Sequence, residues 1–176
     1  EMNFSKPIFS GLSAAFVVGV LALLTFESPF GVWLMFSFGS SALILFVFYD
    51  SEFAKPKNVF FGHLISIVIG ILFNNFMGIS FLSLGLSVGL CVTIMMYLKI
   101  VHPPAAANPL IALFADVSYD FILFPVVSGS VVLIVLAYLI NTFILGRTVF
   151  IKETNLKKRS KNLKLKRKKT RRNKAV

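Results

Sequence analysis

Between Met2 and Gly146 this chain is nearly free of charge, with four basic residues (Lys6, Lys55, Lys57, Lys99) and five acidic ones (Glu27, Asp50, Glu52, Asp116, Asp120). The carboxylates all fall at breaks between apolar runs, so none sits inside a run to act as a general acid or base. Histidine is limited to His63 and His102, and no His-Glu-x-x-His zinc motif occurs. Cys91 is the only cysteine, which excludes an intrachain disulfide and a multi-cysteine metal site and leaves the redox compartment open. No serine or cysteine nucleophile is paired with a base. The chain is therefore not read as an enzyme, and no cofactor or metal is implied. A long polar linker is also missing, so one domain is expected.

Apolar residues fill the space. They make up 57% of the chain, with 20 phenylalanines, and the mean hydropathy is +0.85. That is more apolar surface than one small soluble core can cover. The fold class is all-α, a polytopic transmembrane helical bundle. A spanning helix needs about 20 mostly apolar residues, and five stretches approach that: 8–26, 30–49, 59–77, 81–101 and 121–145. The first could pass for a signal peptide, but no small-residue cleavage pattern follows it. It is read as a retained helix, with Glu1 ahead of Met2 taken as a remnant. A sixth stretch, 103–115, is apolar but too short for a regular span, and is expected to be a broken half-span.

Charge bias tests this count. Basic residues concentrate in short cytoplasmic loops, and with a cytoplasmic N-terminus Lys6, Lys55, Lys57 and Lys99 all fall inside. The basic tail, 147–176, needs the same side, which five crossings cannot give. The conflict is removed if 103–115 crosses as a sixth, partly extended element. Gly39-Ser-Ser-Ala-Leu-Ile-Leu-Phe46 and Ala107-Asn-Pro-Leu-Ile-Ala-Leu-Phe114 occupy corresponding places in the two halves. A 3+3 inverted repeat would explain this, although so short a similarity also arises by chance.

The stretch Lys99-Ile-Val-His-Pro-Pro-Ala-Ala-Ala-Asn-Pro-Leu110 is chemically the most informative. Pro103 and Pro104 each lack an N–H and push the preceding residue toward extended geometry, so the fourth span must end there. Proline also suits the first turn of a helix. The chain should restart at Pro103 or Pro104, with His102 at or beside the cap and Ala105 in the first turn. Free N–H groups at such a start suit a small anion, with His102 and Asn108 as added polar groups. The competing reading is a surface loop, opposed by the absence of any charge from Ala105 to Phe114. Pro56, Asn58 and Gly62-His63 suggest a second helix start, with Asn58 as its N-cap; a headgroup contact is the alternative for His63. Gly11-x-x-x-Ala15-x-x-x-Gly19 and Gly85-x-x-x-Gly89 are expected to pack helices within the protein. Asn74, Asn75 and Asn141 need hydrogen-bond partners.

His-Pro-Pro-Ala-x-Ala-Asn-Pro-Leu, here His102 to Leu110, resembles the signature of the HPP family of integral membrane proteins. Gly39-Ser40-Ser41-Ala42 and Pro56-Lys57-Asn58-Val59-Phe60-Phe61-Gly62-His63-Leu64 resemble two further segments of that family. Ala106 stands where glycine is common and Lys57 where arginine is. The resemblance covers roughly 31–145. It implies a four-helix-type membrane domain, to which this chain adds an N-terminal helix, and an activity like the nitrite transport linked to some members. The expected function is thus a transporter or channel for a small inorganic anion. His102, Pro103, Pro104, Ala105 and Asn108 lead its site, and Gly39, Ser40, Ser41, Asn58 and His63 are second-rank contributors. A lipid-binding or structural scaffold without transport is the alternative. Fourteen of the 18 basic residues lie from Arg147 onward; this tail is expected to be disordered, cytoplasmic and attracted to anionic lipids. With no aromatics or scaffold for base readout, nucleic acid is a lesser expectation. A homo-oligomer is expected, because six crossing elements enclose only a narrow path.

Overall fold

A computed structural model describes residues 5–147. The tail beyond Arg147, with its expected disorder and lipid attraction, lies outside the described residues. All regular structure among them is helical: α1 (Ser5–Glu27), α2 (Ser37–Val47), α3 (Pro56–Met77), α4 (Phe81–Tyr97), α5 (Asn108–Phe114) and α6 (Ser128–Leu139). Short 3-10 turns occupy Glu52–Ala54 and Pro103–Ala107, and wide turns flank α6 at Ile122–Val127 and Ile140–Ile144. Three helical stretches, Lys6–Glu27, Pro56–Met77 and Ile122–Ile144, are long and apolar enough to cross a membrane. Their outward faces carry large apolar side chains such as Phe16, Phe76 and Phe143, as lipid contact requires.

The expected span 30–49 is helical only from Ser37. Its entry is held open because Thr25 Oγ1 accepts the N–H groups of Trp33 and Leu34, both at 3.0 Å, and Gly31 has φ +108°. The expected span 81–101 also stops early, at Tyr97, before any proline acts. Lys99 turns left-handed (φ 55°), Ile100 N donates to Met95 O and Lys99 N to Met96 O. Those two bonds form a Schellman closure. In the expected span 121–145 the regular helix begins only at Ser128, since Pro125 holds Phe124 at non-helical φ −127°, ψ 116°.

Beyond His102 the chain restarts at Pro103, as expected, but as a 3-10 turn that becomes α5 at Asn108. This segment runs parallel to α3 in steps of four residues. Asn58 Nδ2 donates to Val101 O; a methyl group on Gly62 would stand 2.9 Å from His102 Cβ; Asn108 bonds Ser66; a methyl on Gly70 would stand 2.6 Å from Ala112 Cβ; Asn74 Nδ2 donates to Asp116. Residues 101–116 therefore travel from the first turn of α3 to its last. Residues 33–46, by contrast, run antiparallel to α1, with Thr25 beside Trp33 and Ser10 Oγ donating to Phe46 O.

Two cores result. The larger, with Val17, Leu21, Phe38, Phe46, Ile67 and Leu133, joins α1, α2, α3 and α6. The smaller, with Ile69, Cys91, Met95 and Ile100, holds α4. The glycines that permit close approach are Gly62, Gly70 and Gly129, the last lying against Trp33 O and the Phe38 ring. Gly11, Gly19, Gly85 and Gly89 have nothing within 4 Å of where a methyl group would stand, so their faces do not pack within this chain as expected. Charge and helix geometry are indifferent to which small-residue face is inward, and here the buried glycines, Gly62, Gly70 and Gly129, all lie outside those repeats.

Candidate functional site

Asn58 is not a helix cap. Pro56 takes the first helical position, Lys55 the cap, and Asn58 falls inside the first turn, where its amide ties Glu52 O (2.9 Å) to Val101 O (3.2 Å). It secures the loop on which His102 sits. One turn further along α3, His63 is fully buried, so it is not a headgroup contact.

Four side chains converge at the point where α2, α3 and the 102–108 segment meet: Ser41, His63, His102 and Asn108, each 0% exposed. Ser41 Oγ lies 2.8 Å from His63 Nε2 and 2.9 Å from His102 Nε2. The outer atoms define the tautomers. His102 Nδ1 is 2.8 Å from Phe53 O, which can only accept, so this nitrogen carries the proton. At the other end Asn108 Nδ2 donates to His63 Nδ1 at 3.0 Å, which leaves the neutral ring's proton on Nε2. The amide orientation follows from the same neighbours, because Nδ2 also faces His63 O (3.2 Å) and Ser66 Oγ (2.9 Å), while Oδ1 accepts from Ser37 Oγ (2.8 Å). A directed chain results: Asn108 donates to His63, His63 to Ser41, Ser41 to His102, and His102 to Phe53 O.

Ser41 Oγ also lies 3.0 Å from Ser37 O. Its single proton must choose between that carbonyl and His102 Nε2. The Phe38 ring stands edge-on to His63 at 5.1 Å, and the two imidazoles are 5.0 Å apart at 67°. The Phe38 ring covers His63 with apolar surface, and Ala105, fully buried, follows His102 in the same segment. Burying these groups unpaired would be costly; paired with one another, they form a fully buried polar centre in an apolar protein.

Of the residues singled out from sequence, His102, Ser41, His63 and Asn108 meet directly. Pro104 and Ala105 are buried beside them and Pro103 is exposed. Gly39 and Ser40 are exposed on the opposite face of α2, with Ser40 Oγ returned to Ser37 O. The sequence reading missed Ser37 and Ser66. Both stand three or four residues from a recognised member (Ser37 and Ser41, His63 and Ser66), the spacing of one helix face. No group of three or more His, Cys, Asp or Glu able to hold a metal exists among the described residues.

The all-helical fold, the apolar exterior and the polar centre at a broken helix define an integral membrane protein. The chain matches the family described as HPP, transmembrane region, over residues 1–149 and belongs to it. It is similar to a transmembrane protein of Dictyostelium discoideum, 29% identical over 148 residues, covering 77% of this chain and 47% of the relative. A second transmembrane protein of that organism is 30% identical over 115 residues, covering 61% of this chain and 40% of the relative. The chain thus spans less than half the length of these curated relatives. No solved structure matches it.

Proposed function

We propose that this chain is a transporter or channel for a small inorganic anion, nitrite-like by family resemblance, with the Ser41–His63–His102–Asn108 junction as its selective centre. The observation that carries the reading is the cluster itself: four fully buried polar side chains, arranged donor to acceptor, where the helical run of one membrane segment is broken. Polar groups at membrane depth are costly and mark substrate paths, and broken helices are where many transporters bind. The junction is closed in this conformation. Its N–H and O–H groups satisfy one another, and they become available to an anion when α2 parts from α3 and α5. The start of α2, at Ser37, contributes the favourable end of its helix dipole to the same place.

The same reading gives six crossings. Residues 101–116 and 33–46 each follow a long helix for most of its length, the first through a 3-10 entry and the second through an extended one, and this supports a cytoplasmic location for both termini. It also supports a 3+3 inverted repeat, in which the second element of each half enters irregularly and finishes as a short helix. A scaffold without transport is the second reading, favoured by the cluster's complete internal satisfaction. Uptake separates them. Proteoliposomes containing the full chain should take up nitrite, and His102→Ala should abolish uptake while the protein stays folded and its oligomeric state is kept. Folded, fully active His102→Ala removes His102 from the mechanism, and a wild type that admits no small anion favours the scaffold.

A further inference from the structure

We infer that the groove between α1, α2 and residues 144–147 after α6 is a binding site for one anionic phospholipid. The site is formed by described residues up to Arg147 and is distinct both from the buried junction and from the basic residues beyond Arg147. The groove encloses about 1020 Å³, the size of a cavity that takes an organic ligand and far larger than a small inorganic anion needs. Its polar mouth holds Lys6, Ser10, Tyr49 and Arg147. No carboxylate is among the described residues that line it.

Arg147 is fixed there. Its guanidinium donates to Phe46 O (2.7 Å), Asn141 Oδ1 (3.1 Å) and Ser10 Oγ (3.0 Å), and lies 4.6 Å from the Tyr49 ring centre. These four partners are neutral, so they orient the cation without cancelling its charge. They also occupy both NH1 protons and one of the NH2 protons, which leaves donors directed elsewhere. Lys6 lines the same groove and is exposed. Two cations at one rim suit a phosphodiester.

Below the mouth the walls are apolar. Phe9 on α1 and Leu43 on α2 are half-exposed, and Ile144 is 72% exposed, so the groove is open along its side rather than capped. Gly11 and Gly39 keep it deep, with nothing within 4 Å of where their side chains would begin. A free phosphate would use the rim and leave these walls wet. A phospholipid uses both, placing its phosphate between Lys6 and Arg147 and an acyl chain between α1 and α2. Basic pockets between membrane helices take anionic headgroups in this way.

Native mass spectrometry of the full chain, released from micelles doped with phosphatidylglycerol or phosphatidylcholine, tests the assignment. One phosphatidylglycerol should be retained in preference to phosphatidylcholine. Lys6→Gln should weaken that retention about fivefold, the loss of one interfacial cation. Gly11→Leu, which fills the groove without altering any charge, should abolish the preference. Both variants keep every tail residue, so wild-type retention in both would assign the lipid to the tail and overturn the groove site. Equal retention of the two lipids by the wild type, or displacement by millimolar inorganic phosphate, would also overturn it.

Discussion

Ser37 and Asn108, the first residues of the two short helices, are bonded to each other: the serine hydroxyl donates to the asparagine carbonyl at 2.8 Å across 71 positions of sequence. Each helix begins where its segment leaves irregular backbone, and the bond ties both starts to the histidine pair. Asn108 uses its whole side chain in doing so, with Ser37, Ser66 and His63 all served by one amide.

Replacing Asn108 by leucine therefore strands several buried partners at once. Each abandoned group costs about 1–3 kcal/mol, so Asn108→Leu should lower the midpoint of thermal unfolding in detergent by several degrees or prevent folding. Asn108→Asp should be comparably harmful, because it turns a carboxylate oxygen toward His63 O, which the amide now serves as a donor. An unchanged midpoint in both variants would contradict the network.

The hydrogen-bond directions also predict the tautomers. In 15N spectra of histidine-labelled protein at neutral pH, His102 should carry its proton on Nδ1 and His63 on Nε2. Ser41→Ala removes the group between them and should shift both Nε2 resonances, while leaving the His102 Nδ1 bond to Phe53 O in place. Identical tautomers for the two rings would refute the directed chain.

These features differ in how far the sequence reveals them. The break at His102-Pro103-Pro104 is legible because proline acts locally, on its own turn and the residue before it. Ser41 entered the candidate site only through resemblance, and its pairing with both histidines was not foreseen, since a serine in an apolar helix looks like any hydroxyl bonded to the preceding turn. Ser37 and Ser66 went unseen for that reason. The truncation of α2 was hidden differently: the Trp33 and Leu34 N–H groups are diverted by Thr25, on another helix, and no local propensity records that contact. The early end of α4 depends on a left-handed lysine, a conformation usually signalled by glycine.

Residues 101–116 should place their two ends on opposite sides of the bilayer. With Cys91 replaced by alanine, single cysteines at Lys57 and Asp116 in sealed vesicles should react with a membrane-impermeant maleimide from opposite sides. Asp116 is exposed beside the end of α3, and Lys57 sits in its first turn. Labelling of both from one side would make the segment a re-entrant loop and return the count to five crossings.

Glycines of similar appearance should respond in opposite ways. A methyl group at Gly70 would stand 2.6 Å from Ala112 Cβ and 2.7 Å from Pro109 Cα, both on the segment packed against α3 and neither able to swing aside. Gly70→Ala should cost about 1–3 kcal/mol, the usual penalty of overpacking, and should loosen α5 from α3. Gly85→Ala meets open space on α4 and is expected to be neutral or stabilising by up to about 1 kcal/mol, the difference in helix propensity. The comparison also bears on assembly. If the protein is a homo-oligomer that uses the exposed Gly85–Gly89 face, Gly85→Ala leaves the monomer's unfolding midpoint in place but weakens self-association, which light scattering of the detergent-solubilised protein would register as a lower mass. An unchanged mass together with unchanged stability would show that this face meets only lipid.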